Sequence, residues 1–328
     1  MSLAVILTVL NEAEALPRLL ESLAAQTRRP DEIVVAEGGS RDATPAVLAA
    51  YAAQFAAQGL ALRVVAAPGA NIAQGRNRAI DAATADVIAA TDAGVRLPPD
   101  WLARLTAPFA DASVNVVAGF FEADPQTVLE TAMGATVLPD ARDVNPATFL
   151  PSSRSVAFRK AAWAAVGGYP EWLDFSEDVI FDLALRAKFG RFVFVPEARV
   201  LFRPRGSLRA LARQYYQYAR GDGKANLFPK QHAVRYFTYL VVAPLLVYAA
   251  VTVSPWLWGV GVLAGLAYLR LPLRRIWPRL AGLGGGARVL ALACLPLIRL
   301  VGDVAKMVGY PVGVWWRMRR GRMGTQGR

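Results

Sequence analysis

Cysteine and histidine are nearly absent from this chain of 328 residues, which holds one of each, Cys294 and His232. A single cysteine excludes an intramolecular disulfide framework and a cysteine-based zinc site. A single histidine leaves a Ser-His-Asp or Cys-His machine no second base. Chemistry must therefore run on carboxylates, hydroxyls, arginine and a metal held by oxygen. Acidic residues are scarce in one half only. The chain carries 37 basic and 25 acidic residues, a net charge of +12. Residues 1–202 hold 17 basic and 23 acidic residues, net −6, whereas 203–328 hold 20 basic residues and only Asp222 and Asp303, net +18. Such asymmetry points to an anionic partner for the basic half, nucleic acid or a membrane surface. The apolar content of that half favours the membrane.

The opening, Met1–Val9, is short, has no basic flank and runs directly into Asn11-Glu12. It reads as a buried strand (Ala4–Thr8) and not as a signal peptide. A helix near Leu16–Gln26, a strand at Glu32–Ala36, a helix at Thr44–Gln58, a strand at Ala61–Ala66, a helix at Ile72–Ala83 and a strand at Val87–Thr91 follow. Strands alternating with helices of this length predict an α/β fold with a mostly parallel sheet and right-handed crossovers. The strands lack polar alternation, as expected when both faces are covered. Ligands of such sheets bind beyond the carboxyl ends of the strands, where Glu37 and Asp92 stand. From 117 to 199 the pattern is less regular: strands at Asn115–Phe121 and within Phe149–Arg159, helices at Lys160–Val166 and Asp178–Phe189. This stretch is expected to complete the same domain, 1–202, on the acceptor side.

After a basic segment, 203–235, with eight Arg or Lys and Tyr215, Tyr216 and Tyr218, residues Tyr236–Leu269 form 34 residues without a charge. One helix of that length would span roughly 51 Å, well beyond a hydrocarbon core of about 30 Å. Pro255 divides it, so two short helices, Phe237–Val253 and Trp256–Leu269, are expected as a hairpin. Arginines on both flanks place both ends on the cytoplasmic side. In the third apolar stretch, Val289–Trp316, the residues Arg299, Asp303 and Lys306 share one helical face, which suggests an interfacial helix. The basic tail 317–322 follows Trp315-Trp316, an interface anchor. Gly261–Gly265 has the spacing of a helix-packing motif. Residues 236–328 are thus expected to be membrane-associated helices.

Four clusters could carry chemistry. Glu37-Gly38-Gly39 puts a carboxylate and close-approach backbone at the sheet edge, although the same residues make an ordinary strand-turn-helix. Arg76 and Arg78, near the start of a helix, could face phosphates or simply form a solvated basic face. Asp92 at a strand exit could hold Mg²⁺ or Mn²⁺, or end the strand as an Asx-turn. Glu177-Asp178 at a helix N-terminus could supply a general base, or serve capping and the helix dipole.

Their order in one α/β chain resembles the family 2 inverting glycosyltransferases of GT-A fold, over about residues 2–225. Val5–Glu12 looks like that family's opening strand and Val34–Thr44 its nucleotide-contacting turn. Gly75-Arg76-Asn77 is similar to its helix near the donor diphosphate, and Thr91-Asp92-Ala93-Gly94 occupies its Asp-x-Asp metal motif. Gly167-Gly168-Tyr169 followed by Glu177-Asp178 is similar to its acceptor-side signature, and Arg213–Gly221 to a basic segment before the membrane helices of exopolysaccharide-type members. Two positions depart: Glu37 replaces an Asp, and Gly94 replaces the second metal-motif Asp, so metal ligation would rest on Asp92, donor phosphates and water. The Trp of the processive synthases' motif is missing.

The resemblance implies a nucleotide-sugar donor contacted by Glu37, Gly38, Arg76 and Asp92, with Asp92 on a Mg²⁺ or Mn²⁺ ion. It implies Asp178 as base, beside Glu177. The basic, apolar second half implies a membrane-presented, lipid-linked or saccharide acceptor, with the catalytic domain on the cytoplasmic face. Arg205, Arg209, Arg213 and Arg220 would either meet its phosphates or simply anchor the chain to anionic lipid. The rival readings are a membrane-anchored, non-catalytic scaffold on a degenerate transferase fold, and a nucleic-acid binder, which the uncharged run opposes.

Overall fold

The computed structural model describes residues 1–325, with side chains through Arg320; Arg322 of the basic tail and residues 326–328 lie outside the described side chains. The chain forms two compact units. Met1–Asp124 and Asp140–Arg203 make the first, and Pro125–Pro139 joins everything from Pro204 onward in the second. Residues 125–139, expected in the first domain, therefore belong to the second.

In chain order the structure contains β1 (Leu3–Val9), α1 (Leu16–Ala24), β2 (Glu32–Glu37), α2 (Thr44–Ala57), β3 (Ala61–Ala66), α3 (Ile72–Ala82), β4 (Val87–Ala90), β5 (Val95–Arg96), α4 (Trp101–Thr106) and β6 (Val116–Ala123). Then come α5 (Val128–Val137), of the second unit, and β7 (Val156–Arg159), α6 (Lys160–Ala165), α7 (Glu177–Phe189) and β8 (Val193–Phe202). The eight strands form one sheet in the order β3-β2-β1-β4-β7-β6-β8-β5. From β3 to β4 all neighbours are parallel, as are β6 and β8. β7 runs antiparallel to both β4 and β6, and β5 antiparallel to β8.

This is the α/β, mostly parallel sheet that the alternating elements predict. Along β1, Val5, Leu7 and Val9 enter one apolar layer with Leu19, Val35 and Trp101. Ala4 and Ile6 enter the other, with Val34, Ile88, Phe158 and Phe181. Covering both faces explains the unbroken apolar runs of β1, β2 and β4; β3, at the sheet edge, is largely exposed instead. The strand expected within Phe149–Arg159 forms over Val156–Arg159 alone, because Phe149 and Leu150 leave the ladder to pack in the second layer. β8, β5, α4 and α5 have no counterpart in the sequence reading. In β8 the ladder to β6 skips from Phe194 to Arg199, and Pro196, which cannot donate to a ladder, lies in that gap.

The second unit holds α5, α8 (Leu208–Ala225), α9 (Pro229–Phe237), a π-helical segment (Thr238–Val242), α10 (Ala243–Thr252), α11 (Leu257–Leu280) and α12 (Gly285–Thr325). From Pro229 to Thr252 the helix is continuous over 24 residues, with an 18-residue window of mean hydropathy 1.7. Among the described residues this is the one helix long and apolar enough to cross a membrane. The break falls at Ser254-Pro255, but α11 does not stop at Leu269: it continues through Arg270, Arg274, Arg275 and Arg279.

Arg299, Asp303 and Lys306 do share one face of α12, and that face is turned inward. Asp303 accepts from Arg235 Nε at 2.8 Å, from Tyr239 Oη at 3.2 Å and from Tyr268 Oη. Arg299 lies over the Tyr268 ring and Lys306 over Tyr215. The opposite side of α12 presents Leu297, Leu300, Val304, Val308 and Trp315 outward. The spacing at Gly261–Gly265 is not used for close packing: a Cβ there would meet only Leu246, at 3.6 Å from Gly261. The same spacing at Gly309–Gly313 is used instead. A Cβ on either residue would strike the α8 backbone, at 2.2 Å from the Tyr216 carbonyl or 2.1 Å from that of Arg220.

Candidate active site

Three strands build the floor of the site. β1 lies between β2 and β4, so Glu37, which ends β2 opposite Val9, and Asp92, just past β4, stand two strands apart at the carboxyl edge. Ordinary strand spacing makes that about 10 Å. Gly39, at φ +88°, closes the turn after β2, a conformation open to glycine. The Glu37 carboxylate accepts from the N–H groups of Gly39 at 3.1 Å and Ser40 at 2.6 Å. Burial raises the Glu37 pKa, but these bonds outweigh it and hold the carboxyl below its ordinary value. Gly38 donates its N–H to the Val9 carbonyl at 2.9 Å, fastening the turn to β1.

A capping box between Asn71 and Gln74 starts α3. A Cβ at Gly75 would lie 2.8 Å from Thr8 Cγ2, so glycine lets the helix press on β1 and sends the next side chain inward. Arg76 is only 3% exposed. Its Nη1 donates to Glu177 Oε1 at 2.6 Å and its Nη2 to Asp92 Oδ1 at 3.1 Å, and Tyr169 lies under the guanidinium at 5.4 Å. Residues 76, 92 and 177, distant in sequence, are thereby joined by one side chain. Arg78 is on the exposed side of α3.

Asn77 fixes the turn at Gly168-Tyr169 to α3. Its Nδ2 donates to the Tyr169 carbonyl at 2.9 Å, and its Oδ1 accepts from the Tyr169 N–H at 2.9 Å and from Trp163 Nε1 at 3.1 Å. Ser176 enters α7 at φ +64°, an uncommon conformation for a residue with a side chain. Glu177 is then buried against Arg76 while Asp178 is half-buried. Burial pushes Glu177 up to about 7, opposed by Arg76 and reinforced by Asp178. Asp182, one turn on, is fully buried and its Oδ2 has no hydrogen-bond partner. Burial, with the Asp178 charge, drives its pKa well above the carboxylate range.

The sequence reading missed Arg154. The ladder pairs Ala90 of β4 with Val156 of β7 in antiparallel register; continuing it two residues sets Asp92 opposite Arg154. Arg154 Nε lies 3.4 Å from Asp92 Oδ2, its Nη1 donates to Ser152 Oγ at 3.1 Å, and its guanidinium rests on the Phe202 ring at 4.5 Å. No sequence motif marks this residue; only the register does. Both Asp92 oxygens therefore face guanidinium groups. Gly94 contributes no ligand although a Cβ there would meet nothing within 4 Å, and the described residues contain no group of three or more His, Cys, Asp or Glu able to hold a metal. This donor set does not fit a protein-held divalent cation. Arg213 is exposed and Arg220 half-buried on α8, in the second unit.

Residues 4–162 match the family model described as "Glycosyl transferase family 2". The chain is 27% identical over 271 residues to the succinoglycan biosynthesis protein ExoA of Rhizobium meliloti (strain 1021), covering 77% of this chain and 79% of that one. Its fold is similar to that of the mannosyltransferase PcManGT from Pyrobaculum calidifontis in complex with GDP-Man and Mn²⁺ (TM-score 0.62, 21% identity, 93% and 86% of the two chains). It is also similar to residues 1–349 of TarS from S. aureus in complex with UDP (TM-score 0.50, 17% identity, 98% and 92%). The α/β sheet is thus a GT-A fold; the chain carries a glycosyltransferase family 2 domain and is a glycosyltransferase.

Proposed function

We propose that this chain moves a sugar from a nucleotide-sugar donor to an acceptor hydroxyl or phosphate presented at a membrane, with inversion at the anomeric carbon. The observation that carries the reading is the Arg76 bridge, which brings the carboxyl edge of the sheet (Asp92) to the head of α7 (Glu177) and so sets Asp178 beside it. In this reading the turn at Glu37 and Gly38 contacts the nucleotide base, and the diphosphate lies at the exit of β4. The acceptor hydroxyl gives its proton to Asp178 as its oxygen attacks the anomeric carbon. The bond from that carbon to the diphosphate breaks on the opposite face, and the nucleoside diphosphate leaves. Asp178 suits the base because it is accessible, whereas Glu177 and Asp182 are buried.

Arg76 takes a different part from the direct diphosphate contact that the resemblance implies. Both of its Nη groups are engaged by carboxylates, so it positions Asp92 and Glu177. The Mg²⁺ or Mn²⁺ implied by the resemblance has one candidate ligand, Asp92, in a donor set that does not fit it, and no step here runs through a cation.

The second unit supports a membrane-presented acceptor. Its apolar side chains face outward, among them Val251, Val253, Trp256 and Trp277 at 70–88% exposure, and an exposed apolar surface of this extent marks a membrane or interaction site. The basic flanks, Arg213 and Arg220 included, suit anionic lipid or a lipid-linked phosphate on the cytoplasmic face. The similarity to a succinoglycan biosynthesis protein favours a saccharide acceptor of polysaccharide assembly. Incubating detergent-purified protein with a panel of nucleotide sugars and lipid-linked saccharides tests the reading: transfer from one donor is expected, and hydrolysis or transfer with none contradicts it.

A further inference from the structure

The inward face of α12 holds more positive charge than its carboxylates use. Asp303 is taken up by Arg235 and by the Tyr239 and Tyr268 hydroxyls, and Asp222 by His232. Arg299 and Lys306, one turn to either side of Asp303, are half-buried and held differently. Each rests on an aromatic ring, Arg299 on Tyr268 at 4.5 Å and Lys306 on Tyr215 at 4.4 Å. A ring face orients a cation without using its N–H donors. Arg299 Nη2 donates to the Tyr268 carbonyl at 3.3 Å, but its buried Nε has no hydrogen-bond partner. Lys306 Nζ makes no hydrogen bond among the described residues. Three fixed cations, Arg235, Arg299 and Lys306, thus face two carboxylates, Asp222 and Asp303. An anion beside Arg299 completes both the charge and the hydrogen bonding, and a guanidinium is the side chain best shaped for phosphate oxygens.

The same cluster opens onto an apolar groove. The Tyr239 hydroxyl meets that of Tyr268 at 3.3 Å and Asp303 at 3.2 Å. Its ring also lines one end of an open groove of about 600 Å³, which continues past Pro244, Val247 and Val251 to Thr252. At 1.5 Å per residue that stripe is roughly 20 Å long, and, lying on one helix face, it takes one hydrocarbon chain and not two. The π-helical turn Thr238–Val242 falls where groove and cluster meet, and such turns are frequent at functional sites. We propose, resting on the membrane-presented acceptor above, that this is where the second unit holds the lipid end of that acceptor. The ligand is a phosphate borne on a single long hydrocarbon chain. Its phosphate lies on Arg299, with Lys306 as the second cation, and its chain lies along the groove from Tyr239 to Thr252.

The test is calorimetric titration of the full chain in detergent micelles with farnesyl phosphate, farnesol, inorganic phosphate and dioleoylphosphatidylglycerol. Farnesyl phosphate is expected to bind saturably and about tenfold or more tightly than the other three, which lack the phosphate, the chain or the single-chain shape. Arg299→Gln should weaken farnesyl phosphate by about tenfold or more, the loss expected for a hydrogen bond between charged groups, and Lys306→Met by less. Neither should weaken farnesol. Val247→Trp fills the groove from an exposed position and should weaken farnesyl phosphate and farnesol alike, which keeps the test open if Arg299→Gln misfolds. Phosphatidylglycerol binding as tightly as farnesyl phosphate means plain anchoring to anionic lipid and overturns the proposal. So does farnesyl phosphate binding that neither Arg299→Gln nor Val247→Trp changes, or that does not saturate. These results leave the transferase reading in place. Transfer to a water-soluble saccharide as fast as to a lipid-linked one overturns the membrane-presented acceptor, and this proposal with it.

Discussion

The two units bury charge for opposite reasons. In the first, apolar side chains fill both faces of a sheet and the charges gather at its carboxyl edge, where Asp92, Glu177, Asp178 and Asp182 crowd around Arg76, with Arg154 also on Asp92. In the second, the apolar side chains of α10, α11 and α12 face outward and the ionic cluster Asp222–His232–Arg235–Asp303 is inside. A crowded, partly frustrated cluster is what a reactive site looks like, since chemistry needs groups held away from their preferred ionisation. A satisfied cluster inside an apolar shell ties helices together. Removing a charge should therefore cost rate in the first unit and fold in the second.

The largest separation is expected from Asp178→Asn. Losing a general base costs about 10²–10⁴-fold in turnover. Because the Asp178 charge opposes ionisation of both Glu177 and Asp182, its removal should leave the melting temperature unchanged or raise it. Turnover and a thermal melt of the same preparation check both halves. Asp303→Ala should do the converse. It strands Arg235 and the Tyr239 and Tyr268 hydroxyls, at a cost of about 3–5 kcal/mol for a broken buried pair, read in a denaturant melt in detergent. Nucleotide affinity, which the proposed function assigns to the first unit, should be unaffected wherever the protein remains folded.

A smaller effect is set by pH. The folded Glu177 carboxyl is raised to about 7, so the folded state binds a proton that the unfolded chain has already released. The resulting stability is complete below the ordinary Glu pKa of about 4.3 and is lost as pH rises through 7. Glu177→Gln should flatten the decline in melting temperature between pH 5 and 8, with Asp182 retaining part of it. The smallest effect belongs to Arg18→Ala, which removes a surface pair with Asp124 in which Arg18 is half exposed; about 0–1 kcal/mol is expected.

How much of this was legible in the sequence follows the same division. β1, β2, β3, α2 and α3 were readable within a residue or two because each lies between clear breaks. The positions of Glu37 and Asp92 at strand exits and of Glu177-Asp178 at a helix start were legible too. Arg154 was not, because it meets Asp92 only through an antiparallel register that a four-residue strand cannot announce. β8 was hidden by Pro196 and a register shift, and α5 by its separation from the unit it joins. On α12 the shared face of Arg299, Asp303 and Lys306 was legible and its direction was not. Periodicity tells which residues lie together, not whether water is on their side or the other.

The most direct test of the central claim is a transfer assay with the full chain in detergent. It uses the nucleotide sugar found by screening and a lipid-linked saccharide, with the anomeric configuration of the product read by NMR beside the Asp178→Asn variant. The account predicts an inverted linkage from the wild type, and a variant that binds the nucleotide but scarcely turns over. A retained configuration, or an Asp178→Asn enzyme as fast as wild type, contradicts it.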